Sequence, residues 1–391
     1  MNNLHPTRRQ VVAGLAASAA SLLPAVSRAA TYDTGASDRE IKIGNTAAYS
    51  GPISQFGALG TAMSAYFKFV NDNGGINGRQ IRFVSVDDAY SPPKTVEQTR
   101  KLVEEEGVLF LAGSVGTPTQ VAVQKYLNGR RMPQLFLLGG SSRWGQPSEY
   151  PWTMGWSPTY LAEAAVYGKH ILQTVAEPRI GIMYTNDDFG RDYFEGLKRG
   201  LGDKARLIVA EVTTAATDPT VDSQVLQLRA AGVNAFVNAG AGKGAVQAVR
   251  KASELGWKPA HYLNSNSAGI ESFLKPIGVE HAVGVFTANY RKDPADPVWA
   301  NDVGVIEWKN WMTKYNPGVS LANELYTQGY SVAQSVVQVI RQAGDNLTRA
   351  NIMKQAASLK GVQLPLLVPG VQLNTSDTDF FPMQTMRLSR F

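Results

Sequence analysis

The sequence predicts an α/β protein made of two doubly wound, parallel-sheet lobes. Strand-like and helix-like segments alternate from residue 38 onward. The strand-like runs are almost continuously apolar, as in Val108-Leu109-Phe110-Leu111-Ala112, and such runs suit strands covered on both faces. The alternation breaks between Gly139 and Pro158 and then resumes, so two α/β units follow one another.

The elements follow in order. Ile41-Lys42-Ile43-Gly44 opens the first strand, and the turn Tyr49-Ser50-Gly51-Pro52 follows it. A helix is predicted over 59–71 and ends in Asn73-Gly74-Gly75-Ile76-Asn77-Gly78-Arg79. Further strands of the first unit are predicted at 80–86, 108–112 and 134–138. Those of the second unit are predicted at 179–185, 206–213, 234–239 and 260–264. Between them lie helical stretches, one marked by Val225, Leu228, Arg229 and Gly232 at 3/4 spacing. The break at 139–158 holds Gly139, Gly140, Gly145, Pro147, Pro151, Gly155 and Pro158, plus Trp144, Trp152 and Trp156, and reads as a crossing between lobes. A second crossing is predicted at 290–297, then long helices at 298–314 and 321–342.

The N-terminus reads as an export leader over residues 1–29. Thr7-Arg8-Arg9-Gln10-Val11-Val12 is a twin-arginine pattern, an apolar run spans 11–23, and Ser27-Arg28-Ala29 offers a cleavage site. That run is too short to cross a bilayer. The expected location is the periplasm. Without Arg8, Arg9 and Arg28 the 38 basic residues fall to 35 against 32 acidic ones, a charge of +3. No basic tract is present, which argues against a nucleic-acid partner. The absence of cysteine excludes disulfides and thiolate metal sites.

Enzyme signatures are missing. His5, His170, His261 and His281 lack metal spacing, and Gly140-Ser141-Ser142-Arg143 does not supply a nucleophile elbow. Ala239-Gly240-Ala241-Gly242-Lys243-Gly244 looks like a phosphate loop. It fails because Gly244 stands where Ser or Thr is needed and Val237 where the first glycine is needed. Neither a cofactor nor a metal is expected.

A ligand is instead expected beyond the carboxyl ends of the strands, where helix N-termini present free N–H groups to a small anion. In the first lobe this selects Gly116, for close backbone approach, and Thr117, as a hydroxyl donor. In the second it selects the loop with Ala241 and Lys243, the lysine as an attractor of anions.

The opening strand–turn–helix–turn, Asp87-Asp88, Ser91-Pro92-Pro93-Lys94, Asn186-Asp187-Asp188-Phe189-Gly190 and Glu254-Leu255-Gly256-Trp257, in this order, carry a resemblance. The chain resembles periplasmic solute-binding proteins of the leucine/isoleucine/valine-binding type, the capture subunits of ABC importers. The resemblance implies the type I periplasmic binding fold, with a three-segment hinge whose third crossing falls in 361–375. It divides the chain into lobe one, first part (38–155), lobe two (156–289), lobe one, second part (290–362), and a last crossing with terminal strands of lobe two (363–391). It implies a small-molecule solute held between lobes, delivered to inner-membrane permease subunits. No oligomerisation signal is seen, and a monomer is expected.

The resemblance also implies site residues. Gly116 and Thr117 match a carboxylate-holding loop; Gly140, Ser141 and Ser142 match its second carboxylate-contacting stretch. Phe56 and Phe189 match pocket aromatics. Asn266 falls where amino-acid binders of the family carry a carboxylate for the ligand ammonium. A buried ammonium without a counter-charge is costly. The departure, with the likeness of the Asp-Asp and Asn-Asp-Asp segments to members taking up aromatic acids, favours an amine-free carboxylate over a free amino acid. Branched-chain amino acids, amides or urea, and a periplasmic co-receptor role, are the alternatives.

Overall fold

The structure, a computed structural model, describes residues 30–391. The expected leader at 1–29 lies outside the described residues. A short strand β1 (Thr31–Tyr32) ties the start of the described chain to the back of lobe one. Lobe one then builds a five-stranded parallel sheet from β2 (Glu40–Ala47), β3 (Gln80–Asp87), β4 (Phe110–Ala112), β5 (Gln134–Leu137) and β6 (Thr153–Gly155). Its order is β3-β2-β4-β5-β6. Strands β2 and β3 stay in register from Glu40↔Gln80 to Ala47↔Asp87, so both deliver their following loops to one end of the sheet. Helices α1 (Gly57–Asp72), α2 (Pro92–Arg100) and α3 (Thr117–Gly129) follow the first three strands.

The segment 139–158 is not wholly a crossing, as the sequence suggested. It contains β6, which pairs with β5, and Trp144 and Trp156 are fully buried on lobe one. Trp156 donates its indole N–H to Ser335 Oγ at 2.9 Å. Two desolvated indoles anchor the segment despite its glycines and prolines.

Lobe two opens with helix α4 (Tyr160–Thr174), then β7 (Ile180–Thr185), α5 (Asp188–Leu201), β8 (Ile208–Thr214), α6 (Asp222–Ala230), β9 (Ala235–Ala239), α7 (Lys243–Glu254), β10 (Ala260–Leu263) and β11 (Phe286–Asn289). After β11 the chain returns to lobe one as α8 (Val303–Tyr315), α9 (Glu324–Ala343), β12 (Asn346–Leu347) and α10 (Arg349–Ala356). Helix α9 lies along α1 so closely that a Cβ at Gly329 would sit 2.8 Å from the Ala62 methyl. The last strand, β13 (Arg387–Arg390), rejoins lobe two antiparallel to β11. The six-stranded sheet has the order β13-β11-β10-β9-β7-β8 and is otherwise parallel. Strands β6 and β11, of three and four residues, escaped the sequence reading.

At the hinge, the chain leaving β11 runs beside residues 366–368: Lys292 N–H donates to Leu366 O at 2.9 Å and Val368 N–H to Tyr290 O at 3.1 Å. Glu324, at the start of α9, is buried against these strands and against Gly269. Burial, then repulsion from Asp293, pushes its carboxyl up to about 7, while its own backbone N–H, then Arg291 and nearby Ser272, offset part of this. A glutamate in the unfolded chain titrates near 4.5. Folding therefore takes up a proton at this group. Its contribution to stability is fully present below about pH 4.5 and is lost as pH rises through about 7. Glu324→Gln removes that loss. The variant is expected to exceed the parent by about 1–3 kcal/mol near pH ~8, with the gap closing towards pH ~5. Denaturant titrations at both pH values check this, and coincident curves at the higher pH would contradict it.

Candidate functional site

The strand ends of the two sheets face one another across a cavity whose empty space, continuous with solvent, is about 550 Å³. Behind its lobe-one wall lie Asp87, the last residue of β3, and Asp88. Asp87 accepts from the backbone N–H groups of Tyr49, Ser50 and Ala89, from Ser50 Oγ and from Lys94 Nζ. Burial opposes ionisation here, yet the Ser50 and Lys94 bonds hold the carboxyl well below its usual range. Asp88 accepts from Tyr90 N–H and Thr95 Oγ1. These bonds hold Ala89 and Tyr90 at φ +51° and +55°, a left-handed pair without glycine. Strain of this kind persists only where the surroundings enforce it, and here it brings Tyr90 to the cavity.

Gly116 follows, at φ +102°; a Cβ there would lie 2.6 Å from the Tyr90 ring. Thr117 opens α3, and no side chain caps that helix. The first N–H groups of α3 therefore point at the cleft with the positive end of the helix dipole. The starts of α1 and α7, marked by Phe56 and Gly242 in the cavity wall, also lack a side-chain cap. Gly139, at φ +139°, leaves room for the Tyr160 hydroxyl, 2.8 Å from where a Cβ would stand.

Lobe two contributes Phe189, Ala241, Gly242, Asn264, Asn266 and Ser267. Phe189 meets Tyr160 edge-on with ring centres 4.8 Å apart. Asn264 donates its amide to Asn238 O and Gly240 O, at 3.2 and 2.9 Å, which leaves its carbonyl oxygen facing the cavity. Behind this loop Glu163 accepts from Ser265 N–H at 2.8 Å, Ser265 Oγ at 2.6 Å and Tyr167 OH at 2.7 Å. Its burial raises the carboxyl, and the Ser265 and Tyr167 bonds work against that rise. Across the cleft Gln55 of lobe one comes so near Gly242 that a Cβ there would be 3.0 Å from its amide nitrogen.

Two properties define the cavity. Its lining contains no Asp, Glu, Lys, Arg or His. Three buried polar atoms in its wall have no hydrogen-bond partner: Thr117 Oγ1, Asn264 Oδ1 and Ser267 Oγ. Burial also raises the Tyr90 and Tyr160 phenols, so both remain neutral. Gathered in one cavity wall, these atoms offer hydrogen-bond partners to a ligand.

Of the residues selected from the sequence, Phe56, Gly116, Thr117, Phe189, Ala241 and Asn266 line the cavity. Gly140, Ser141, Ser142 and Lys243 do not. Gly140 accepts Tyr160 N–H with its carbonyl at 2.8 Å and is pressed against Pro158. Ser141 is buried in its own turn, accepting from Arg143 N–H. Ser142 donates N–H and Oγ–H to Asp192 of lobe two, at 2.7 and 2.8 Å. Lys243 is exposed at the start of α7. Tyr90, Tyr160 and Gln328 went unselected. The Asp87-Asp88 pair that turns Tyr90 inward was the available signal; Gln328 lies on a helix remote in sequence and offered none.

With this geometry, the chain belongs to the Periplasmic binding protein family, whose model matches residues 40–391. Its leucine/isoleucine/valine-binding branch is represented among its relatives. The chain is 28% identical over 180 residues to the leucine-specific-binding protein of Salmonella typhimurium, an alignment covering 42% of this chain and 46% of that protein. It thus spans about half the length of that curated relative. It is 24% identical to Leu/Ile/Val-binding protein homolog 1 of Brucella abortus over 84% of this chain and 86% of the relative. Among solved structures, a branched-chain amino acid ABC transporter protein from Thermus thermophilus with bound valine superposes with a TM-score of 0.81, at 17% identity over 91% and 94% of the two chains. A fatty acid ABC transporter substrate-binding protein from Thermomonospora curvata gives 0.77 at 20% identity over 92% and 90%. At these identities the structures establish the fold.

The Ser142–Asp192 pair joins the lobes independently of any ligand. Asp192→Ala leaves the Ser142 N–H unpaired in a part-buried position and is expected to cost about 1–3 kcal/mol. Urea unfolding measures this; an unchanged midpoint would mean that water replaces the carboxylate.

Proposed function

We propose that this chain is the periplasmic solute-binding subunit of an ABC importer, and that its solute is a small aromatic carboxylate without an amine. The observation that carries this reading is the uncharged lining of the cavity. An α-amino acid would bury its ammonium there with no carboxylate to meet it, a penalty of several kcal/mol. A carboxylate lacks a charged partner too, but the helix N-termini favour a negative group over a positive one. The uncapped N-terminus of α3 and the Thr117 hydroxyl offer donors on the lobe-one side.

The middle of the cavity suits a flat ring. Phe56, Phe189, Tyr90 and Tyr160 supply aromatic surface, with Ile53, Leu59 and Leu138 beside them. On the lobe-two side Asn264 Oδ1 accepts and cannot donate. A hydroxyl at the far end of the ring would satisfy it, which favours a hydroxylated aromatic acid. Closure of one lobe over the other then follows from contacts made to both, and the closed form is what a permease would receive.

The test is a calorimetric and thermal-shift panel of 4-hydroxybenzoate, benzoate, coumarate, leucine, isoleucine, valine, urea and short amides. Aromatic acids are expected to bind, with 4-hydroxybenzoate ahead of benzoate. A response to leucine, isoleucine or valine alone would sink the amine-free reading. Thr117→Val keeps the shape and removes one orphaned hydroxyl. It should weaken the aromatic acids by roughly 10- to 100-fold, the loss of one hydrogen bond to a charged group, without lowering the melting point of the free protein.

A further inference from the structure

A second compartment lies at the hinge and shares only Asn266 with the cleft cavity. Its empty space, continuous with solvent, is about 420 Å³. Ser265, Asn266 and Asn289 wall it from lobe two, Arg291 and Asp293 from the crossing, and Glu324 from the start of α9 in lobe one. It differs from the cleft cavity in one decisive respect: it is charged.

Glu324 is only 4% exposed, and neither of its carboxylate oxygens has a hydrogen-bond partner. The neighbouring charges are otherwise engaged. Asp293 accepts from Ile270 N–H at 3.0 Å and Ala295 N–H at 2.9 Å. Lys292 donates to Asp302 at 2.7 Å and to Pro365 O at 2.8 Å. Arg291 lies over the Tyr290 ring and gives one N–H to the main-chain oxygen of Glu324 at 3.2 Å. Its Nε–H is buried and unpartnered. Among the described residues no ion pair links Glu324 to Arg291 or Lys292.

An unpartnered buried carboxylate asks for donors. A multivalent metal is poorly served, since no group of three or more His, Cys, Asp or Glu is gathered among the described residues. An ammonium group carries three donors, which match the two Glu324 oxygens and the amide oxygen of Asn266 or Asn289. We propose that the hinge pocket is a second binding site, one that takes the ammonium group of a small amine or amino acid. Where the occupant carries a carboxylate, the free Arg291 Nε–H is its partner. Because its walls come from both lobes, an occupant favours the closed arrangement. Only ionised Glu324 attracts an ammonium. With Asp293 and Arg291 facing it and Lys292 neutralised by Asp302, binding strengthens as pH rises through about 7.

This site stands apart from the aromatic-acid reading of the cleft, and one experiment separates them. Isothermal titration of the mature chain near pH ~8 uses ethylamine and alanine as probes, on the parent, Glu324→Gln and Thr117→Val. At least one probe is expected to bind the parent and Thr117→Val alike and to bind Glu324→Gln at least about 30-fold more weakly. Tighter binding of alanine assigns an amino acid and the Arg291 contact; equal binding assigns a bare amine. The Glu324→Gln melting curve shows that the variant is folded. Asp293→Asn, which keeps one of the two backbone bonds, gives a second, smaller loss. Absence of binding to the parent, equal affinity in Glu324→Gln, or loss in Thr117→Val would each overturn the proposal. Loss of 4-hydroxybenzoate binding in Thr117→Val bears only on the cleft.

Discussion

Bringing two sheet edges together removes water from every polar group between them, and each group must then find a partner within the protein. Three carboxylates show different solutions. Asp87 gathers five donors and stays ionised; in doing so it holds the left-handed turn that carries Tyr90. Asp192 takes both donors of Ser142 and joins the lobes. Glu324 takes none. The first two are structural in the plain sense that their partners are fixed. The third is a desolvated charge without an answer in the chain, and the hinge is built around it.

The same constraint explains how a cavity without charge is made from a chain with 38 basic and 32 acidic residues. Charged side chains near the cleft are engaged behind its surface. Glu163 holds the Ser265 loop from the rear, so that Asn266 and Ser267 form the wall while the carboxylate stays out of it. Lys94 is spent on Asp87. What remains in front is hydroxyl, amide and ring. A lining of this kind selects by shape and by a few neutral hydrogen bonds, with the helix N-termini supplying a positive field.

Much of the fold was legible in the sequence because buried parallel strands are written as unbroken apolar runs. Phe110-Leu111-Ala112 and Ala235 to Ala239 are wholly buried and were found at once. Strand β6 was not, because Thr153-Met154-Gly155 is too short to show a run and sits among glycines and prolines. The site was legible to the level of loops. Which side of a loop each residue serves was not, since that depends on bonds to distant partners. Ser142 has the right chemistry for a carboxylate ligand, yet Asp192, fifty positions on, claims it. Tyr90 shows the reverse: nothing in its type marks it, but two aspartates bend the backbone until it faces the cleft.

The missing carboxylate near Asn266 and the unpartnered Glu324 belong together. A sequence comparison alone registers only that an acid is absent from the loop after β10. The structure holds an unsatisfied acid on the far side of Asn266, in a compartment that shares this one residue with the cleft. Charge has been moved out of the cavity without being removed from its neighbourhood. A ligand in the cleft meets a neutral wall, while the hinge compartment keeps a buried acid. Burial opposes the ionised form of Glu324, so whatever neutralises it, a proton or an ammonium, stabilises the arrangement in which it is buried. Solute recognition and hinge energetics are thereby assigned to separate groups that meet at a single asparagine.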